Sequence, residues 1–140
     1  MITAKDCLKK YGEPSKTNPW LTYWHVPKEL QVNNIPKIIW CNKDLAKPFE
    51  TALRNVHSRG LVSHLCTFDG CFNIRNIRGG TTPSLHSWAV AVDLNAKTNQ
   101  LGTKGDMTPE FVKCFTDAGF DWGGNFKSRV DPMHMQLKSI

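Results

Sequence analysis

"SLHSWAVAVDLN" occupies residues 84–95 and "DPMHMQL" residues 131–137, and the fold turns on how these two stretches pair. Residues 88–95 alternate as a strand does, with Trp88, Val90, Val92 and Leu94 on one bulky face suited to a core. The opposite face carries Ala89, Ala91, Asp93 and Asn95, a row of small residues ending in a carboxylate, with room for something above it. His86 stands just before, behind "GGTTPS", where glycines and a proline let the chain turn so that the imidazole leans over the same face. In the terminal stretch Met133, Met135 and Leu137 share one face and His134 and Gln136 the other. Pairing of the two strands would bring His134 to His86 and Asp93, with Asp131 one bend away.

Two imidazoles and one carboxylate form a three-ligand zinc set that leaves a fourth position for water, as catalytic sites do. Each residue also has a plainer reading. A histidine is commonly a hydrogen-bonded structural residue, Asp93 could end a strand in solvent, and Asp131 before Pro132 could initiate a turn. Spacing alone leaves both readings open.

The 140 residues suit a single domain spanning 1–140 with a core of its own. Hydrophobic residues at 40% and charged residues at 21% argue against disorder. The net charge of +6 suits an anionic partner: nucleic acid, acidic lipid or a cell-wall polymer. The lysines are scattered and no nucleic-acid motif occurs, so no nucleic-acid partner is expected. No apolar run approaches the roughly 20 residues of a membrane span, so membrane insertion is not expected. The N-terminus lacks the apolar stretch of a signal peptide, which leads to the expectation of a cytoplasmic protein. The odd, irregularly spaced set Cys7, Cys41, Cys66, Cys71 and Cys114 is read as free thiols of such a compartment. Cys66 and Cys71 are close enough to pair or bind metal, but no second pair completes a zinc knot.

Elsewhere, residues 1–35 read as an irregular wrap that packs on the core and shapes one side of the cleft, and "PKIIW" (36–40) as a short strand. "NKDLAKPFETALRNVHSRG" reads as a helix capped by Asn42 or Asp44, buried through Leu45, Phe49, Ala52, Leu53 and Val56, and ended by Gly60; Pro48 requires its start to be close by. "LVSHLCTF" and "CFNIRNI" read as strands. "TPEFVKCFTDAGF" reads as a helix with Thr108 as N-cap, Pro109 at its first position, and Gly119 turning the chain beyond its end. Helices and strands mix without a βαβ rhythm, which predicts an α+β domain: a small antiparallel sheet with flanking helices and a metal site in a cleft. His25, His57 and His64 read as structural or surface residues.

With these residues in view, the sequence resembles the zinc D-alanyl-D-alanine carboxypeptidase and L-alanyl-D-glutamate endopeptidase family, peptidoglycan peptidases that include phage endolysins. The family pattern is Ser-x-His-x-x-Gly-x-Ala-x-Asp, then an acidic residue three positions before a final His. Ser84, His86, Ala91 and Asp93 match the first part, and Asp131 and His134 the second. "FNIRNIRGG" and "WGGNF" are also similar, so the resemblance spans about residues 64–137. Ala89 departs from the family glycine, and Gln136 stands where Glu is commoner, still able to hydrogen-bond His134 as an uncharged neighbour of the ligand set.

The resemblance implies one Zn²⁺ held by His86, Asp93 and His134, with Asp131 as general base and an arginine at the oxyanion. Arg75 and Arg78 lie in the right segment; if it is extended, only one faces inward, and Arg75 is the favoured one because Arg78 opens the Gly79–Gly80 loop. Ser84 is expected to hold His86 or a substrate carboxylate, and Trp122 to wall the cleft or lie in the core. The implied substrate is the peptide stem of peptidoglycan, and the implied enzyme a monomeric bacteriolytic endolysin acting on the wall after release from the producing cell. The alternatives are a D-alanyl-D-alanine carboxypeptidase or dipeptidase in wall trimming, and a non-catalytic wall-binding module.

Overall fold

Two short antiparallel sheets and three helices enclose one apolar core in the computed structural model, which describes residues 1–140. Residues 1–35 are more regular than their composition suggests. Thr3 caps helix α1 (Ala4–Tyr11): its hydroxyl accepts from Asp6 N–H while the Asp6 carboxylate accepts from Thr3 N–H, a reciprocal box that satisfies two orphan donors. Strand β1 (Leu21–His25) then pairs with β2 (Ile38–Asn42) to form the two-stranded sheet. The expected wrap is thus a capped helix and a strand, and its Thr-x-x-Asp signature was legible.

Helix α2 (Lys43–Ser58) starts at Asn42, whose side-chain oxygen accepts from Asp44 N–H at 2.8 Å. Leu45, Phe49, Ala52, Leu53 and Val56 are its buried stripe, as the periodicity predicts. Pro48 falls at the sixth position of the helix, where its missing N–H forgoes one bond to Asp44. "LVSHLCTF" is not a strand: residues Val62–His64 make a 3₁₀ turn, and only Phe68–Gly70 pairs, as β3. "CFNIRNI" is likewise irregular apart from a single bridge between Asn76 and Pro83.

The larger sheet has the order β3–β4–β6–β5, antiparallel throughout, with β4 at Ala91–Leu94, β5 at Phe120–Trp122 and β6 at His134–Leu137. Helix α3 (Pro109–Thr116) carries the expected Thr108 cap and packs against α2, and Gly119 takes φ 103° at the turn into β5. Phe49, Trp88, Phe111, Phe115, Phe120, Val92, Leu94 and Met135 are fully buried between the helices and the inner face of this sheet. Each such side chain stabilises the fold by about 1.5–3 kcal/mol. All five cysteines are free, and only Cys66 is exposed. No helix is long and apolar enough to cross a membrane.

Candidate metal centre and cleft

The β4–β6 register builds the site. Val92 pairs with Met135 on the core face, so their neighbours point the other way: Asp93 sits opposite His134, and Ala91 opposite Gln136. His86 does not come from the strand. It lies in a 3₁₀ turn, Leu85–Trp88, which reverses into β4 through Ala89 at φ 56°, ψ 36°. The strand is therefore shorter than the alternation of residues 88–95 predicts: Trp88 is buried from the turn, and Ala89 is a fully buried left-handed residue rather than part of an open face. A glycine would take this conformation without strain, which gives the family glycine its reason. Ser84 caps the turn, its hydroxyl accepting from His86 N–H at 3.3 Å.

His86 Nε2 lies 3.2 Å from Asp93 Oδ2, and His134 Nδ1 lies 3.4 Å from Asp93 Oδ1. One ligand atom from each of the three residues falls within 4.8 Å of the others. The outer nitrogens of both rings are committed elsewhere. His86 Nδ1–H donates to the Cys71 carbonyl at 2.7 Å, and His134 Nε2–H donates to Gln136 Oε1 at 3.0 Å. Carbonyl oxygens can only accept, so each ring turns a bare lone pair toward Asp93. The buried side-chain polar atoms of this protein that lack any partner are His86 Nε2, Asp93 Oδ1 and Asp131 Oδ1. Leaving such atoms unpaired costs about 1–3 kcal/mol each, and all three residues line one cleft, where a cation would relieve His86 and Asp93. Two imidazoles and a carboxylate with preset tautomers fit Zn²⁺.

Without a metal, a proton takes part of that role. Burial disfavours charge on His134, but the Asp93 carboxylate, with Gln136 and Asp131, lifts its pKa above the ordinary value. Burial likewise works to raise the Asp93 carboxyl, yet its contacts with His134 and His86 outweigh it and hold the group well below the carboxylate range.

Asp131 borders the same space, in a cleft of about 560 Å³. Its carboxyl is pushed above its usual range, chiefly by burial, with the Asp93 charge adding to the effect and His134, His86 and Arg75 opposing it. The loop that carries it rests on Gly123, whose carbonyl accepts from Asp131 N–H at 2.9 Å. A Cβ on Gly123 would come within 2.2 Å of the Asp131 carbonyl oxygen, so "WGG" marks a close approach of two backbones. Trp122 does not wall the cleft. It pairs with Met135 and so points to the opposite side of the sheet from His134, where its indole N–H donates to the Pro132 carbonyl at 2.7 Å and steadies the loop from behind. Phe126 takes the place expected of Trp122, with its ring centroid 5.8 Å from that of His134.

Residues 78–137, the span that contains all of these groups except Arg75 and the Cys71 carbonyl, match the family model described as D-alanyl-D-alanine carboxypeptidase. The match covers 60 of the 140 residues, and over that span the chain is similar to this peptidase family. No curated protein and no solved structure matches the chain. The matched span includes His86, Asp93 and His134, the three residues placed to hold a metal ion.

The remaining residues fall around the same cluster. Arg75 and Arg78 both line the cleft, contrary to the expectation that only one faces inward. The physical reason is that residues 72–78 form no regular strand, so strict alternation does not apply. Ser87, which sequence reading passed over, fixes this segment: its hydroxyl donates to the Arg75 carbonyl at 2.9 Å and accepts from Arg75 N–H at 3.2 Å. Arg129 also lines the cleft and was not signalled by any motif. No residue of 1–35 does so; one link from that region to the turn that carries His86 is the Trp88 indole donating to the Gly12 carbonyl at 2.8 Å. His64 lies apart, bonded to Thr108 and stacked on Phe111.

Proposed function

We propose that this protein is a monomeric zinc peptidase that hydrolyses the peptide stems of bacterial peptidoglycan, as an L-alanyl-D-glutamate endopeptidase of the phage endolysin type. The observation that carries the reading is the convergence of His86 Nε2, Asp93 Oδ1 and Asp131 Oδ1, buried and without partners, in one cleft beside His134. His86, Asp93 and His134 would hold one zinc ion, which when bound supplies Lewis acidity and lowers the pKa of water. Asp131 takes a proton from the attacking water and passes it to the leaving amine; its raised pKa brings it closer to the value such a relay needs. Of Arg75 and Arg78, which both line the cleft, Arg75 is the one whose charge acts on Asp131, and it offers guanidinium donors to the oxygen that gains charge. Ser84 keeps the His86 backbone in place, and Gln136 and the Cys71 carbonyl keep both rings in the tautomers that leave a lone pair inward.

A basic chain with no membrane-spanning helix suits an enzyme that reaches an anionic wall after release from the producing cell. The description of the matching family favours a second reading, release of a terminal D-alanine. A wall-binding module without catalysis would have no use for the half-buried Asp131 carboxylate beside the ligand set. Digestion of purified peptidoglycan, with and without chelator and re-supplied zinc, separates these readings by product mass. A freed L-alanine carboxyl supports the endopeptidase, and released D-alanine the carboxypeptidase. Wall left intact under every metal condition would overturn both.

A further inference from the structure

The chain has five arginines, and they divide cleanly. Arg54 is salt-bridged to Glu29 and Glu50, and Arg59 to Asp117. Arg75, Arg78 and Arg129 have no carboxylate partner, and all three line the cleft of the metal centre. The carboxylates lining that cleft are Asp93 and Asp131, the first of which belongs to the candidate metal-ligand set. Three guanidinium groups therefore face two carboxylates before any metal charge is added, an excess of positive potential in a partly enclosed space.

Arg78 and Arg129 come from separate loops but form one unit. Arg129 donates from its Nη1 to the Arg78 carbonyl, and its Nη2 lies 3.5 Å from where a Gly79 side chain would begin. This contact joins the tip of the 76–83 loop, itself closed by the Asn76–Pro83 bridge, to the loop that carries Asp131. The Arg78 guanidinium makes no hydrogen bond within the protein, and Arg129 spends one donor of its five on the Arg78 carbonyl. Such a pair is suited to take a carboxylate in a forked, charge-assisted grip, a stronger contact than any neutral amide offers.

We infer that Arg78 and Arg129 form an anion subsite beside the metal centre that selects peptides with a free carboxylate next to the scissile bond, and that Arg129 is the specificity-determining residue. The inference rests on the peptidase reading and names its substrate class: an acidic stem peptide rather than its amidated form.

The test uses two synthetic stem peptides that differ only in a carboxylate or carboxamide on the residue flanking the cut bond. Zinc-loaded wild type is expected to show at least a tenfold higher kcat/KM for the acid, carried by KM, as charged hydrogen bonds of this kind discriminate. Arg129→Gln keeps a donor for the Arg78 carbonyl but removes the charge; it is expected to bring the ratio near unity, through a raised KM for the acid, with zinc content at the wild-type level. Arg129→Lys, with charge but no fork, is expected to fall between. Equal wild-type rates on the two peptides, or an unchanged ratio in Arg129→Gln, would overturn the subsite. Equilibrium binding of both peptides to zinc-loaded Asp131→Asn reads the subsite without turnover. Discrimination in binding with no cleavage by wild type would remove the peptidase reading and leave the subsite standing; cleavage by wild type without discrimination would do the reverse.

Discussion

Replacing Gln136 with leucine isolates what one buried acceptor does for the metal centre. Gln136 is 5% exposed, sits opposite Ala91 in the sheet, and accepts the His134 Nε2–H at 3.0 Å. Leucine has a similar volume, so the core neither opens nor overpacks by much. What is lost is the partner that fixes the His134 tautomer and aims its Nδ1 at Asp93. A partner of this kind is worth about 10–100-fold in metal affinity, or about 1.4–2.8 kcal/mol. The stranded N–H adds a stability cost of about 1–3 kcal/mol in the metal-free protein. Both quantities are measurable on one sample: zinc affinity by competition with a chromophoric chelator, and stability by urea unfolding with metal removed. Gln136→Glu should move zinc affinity the other way, since a carboxylate accepts the same proton more strongly and restores the residue commoner in the family. Zinc affinity within twofold of wild type in Gln136→Leu would refute the reasoning, because His134 would then be oriented without Gln136.

Three further outcomes follow from the same geometry. Asp131→Asn should lower turnover by about 10²–10⁴-fold while zinc content stays at the wild-type level, read by stem-peptide hydrolysis and metal analysis. In the metal-free protein the raised His134 pKa contributes stability that is complete below about pH 6.5 and lost as pH rises through the folded value. The depressed Asp93 carboxyl contributes stability that is lost only in strong acid, and the raised Asp131 carboxyl costs stability above the ordinary carboxylate range. Urea midpoints of the chelated protein should therefore fall between pH 6 and pH 8, whereas zinc, which needs neutral imidazoles, should reverse that slope. Ala89→Gly should change stability by less than about 1 kcal/mol, because relief of the left-handed strain is offset by the lost buried methyl and a freer unfolded chain. Ala89→Val, β-branched at φ 56° with no free volume, should cost about 3 kcal/mol or more in the same assay.

The site was more legible than the fold around it. Asp93 and His134 lie on strands whose alternation is strong enough to state which face each occupies, so their pairing followed once the two strands were placed together. The helices α2 and α3 declared themselves through Asn42, Thr108 and stripes at helical spacing. What failed was alternation pushed beyond regular backbone. Val62–His64 and the 72–78 segment have apolar content without a partner strand, and their conformation is decided by contacts remote in sequence: Asn95 holding Cys66 and Thr67, Ser87 holding Arg75. The left-handed Ala89 hid the turn that delivers His86, because alanine carries no local sign of positive φ. Trp122 was open between cleft and core until its register with Met135 set its side of the sheet. Arg129 lies two residues before Asp131, whose backbone closes on Gly123, a long-range contact that spacing does not encode.

The central claim is that one zinc ion is held by two imidazoles and a carboxylate, with none of the five cysteines taking part. Zinc K-edge X-ray absorption on the metal-loaded protein tests this directly. The expected spectrum has nitrogen and oxygen neighbours alone, at about 2.0–2.2 Å, with the multiple-scattering pattern of two imidazoles. A sulfur shell at about 2.3 Å, or the same spectrum from His86→Ala and His134→Ala, would contradict the account.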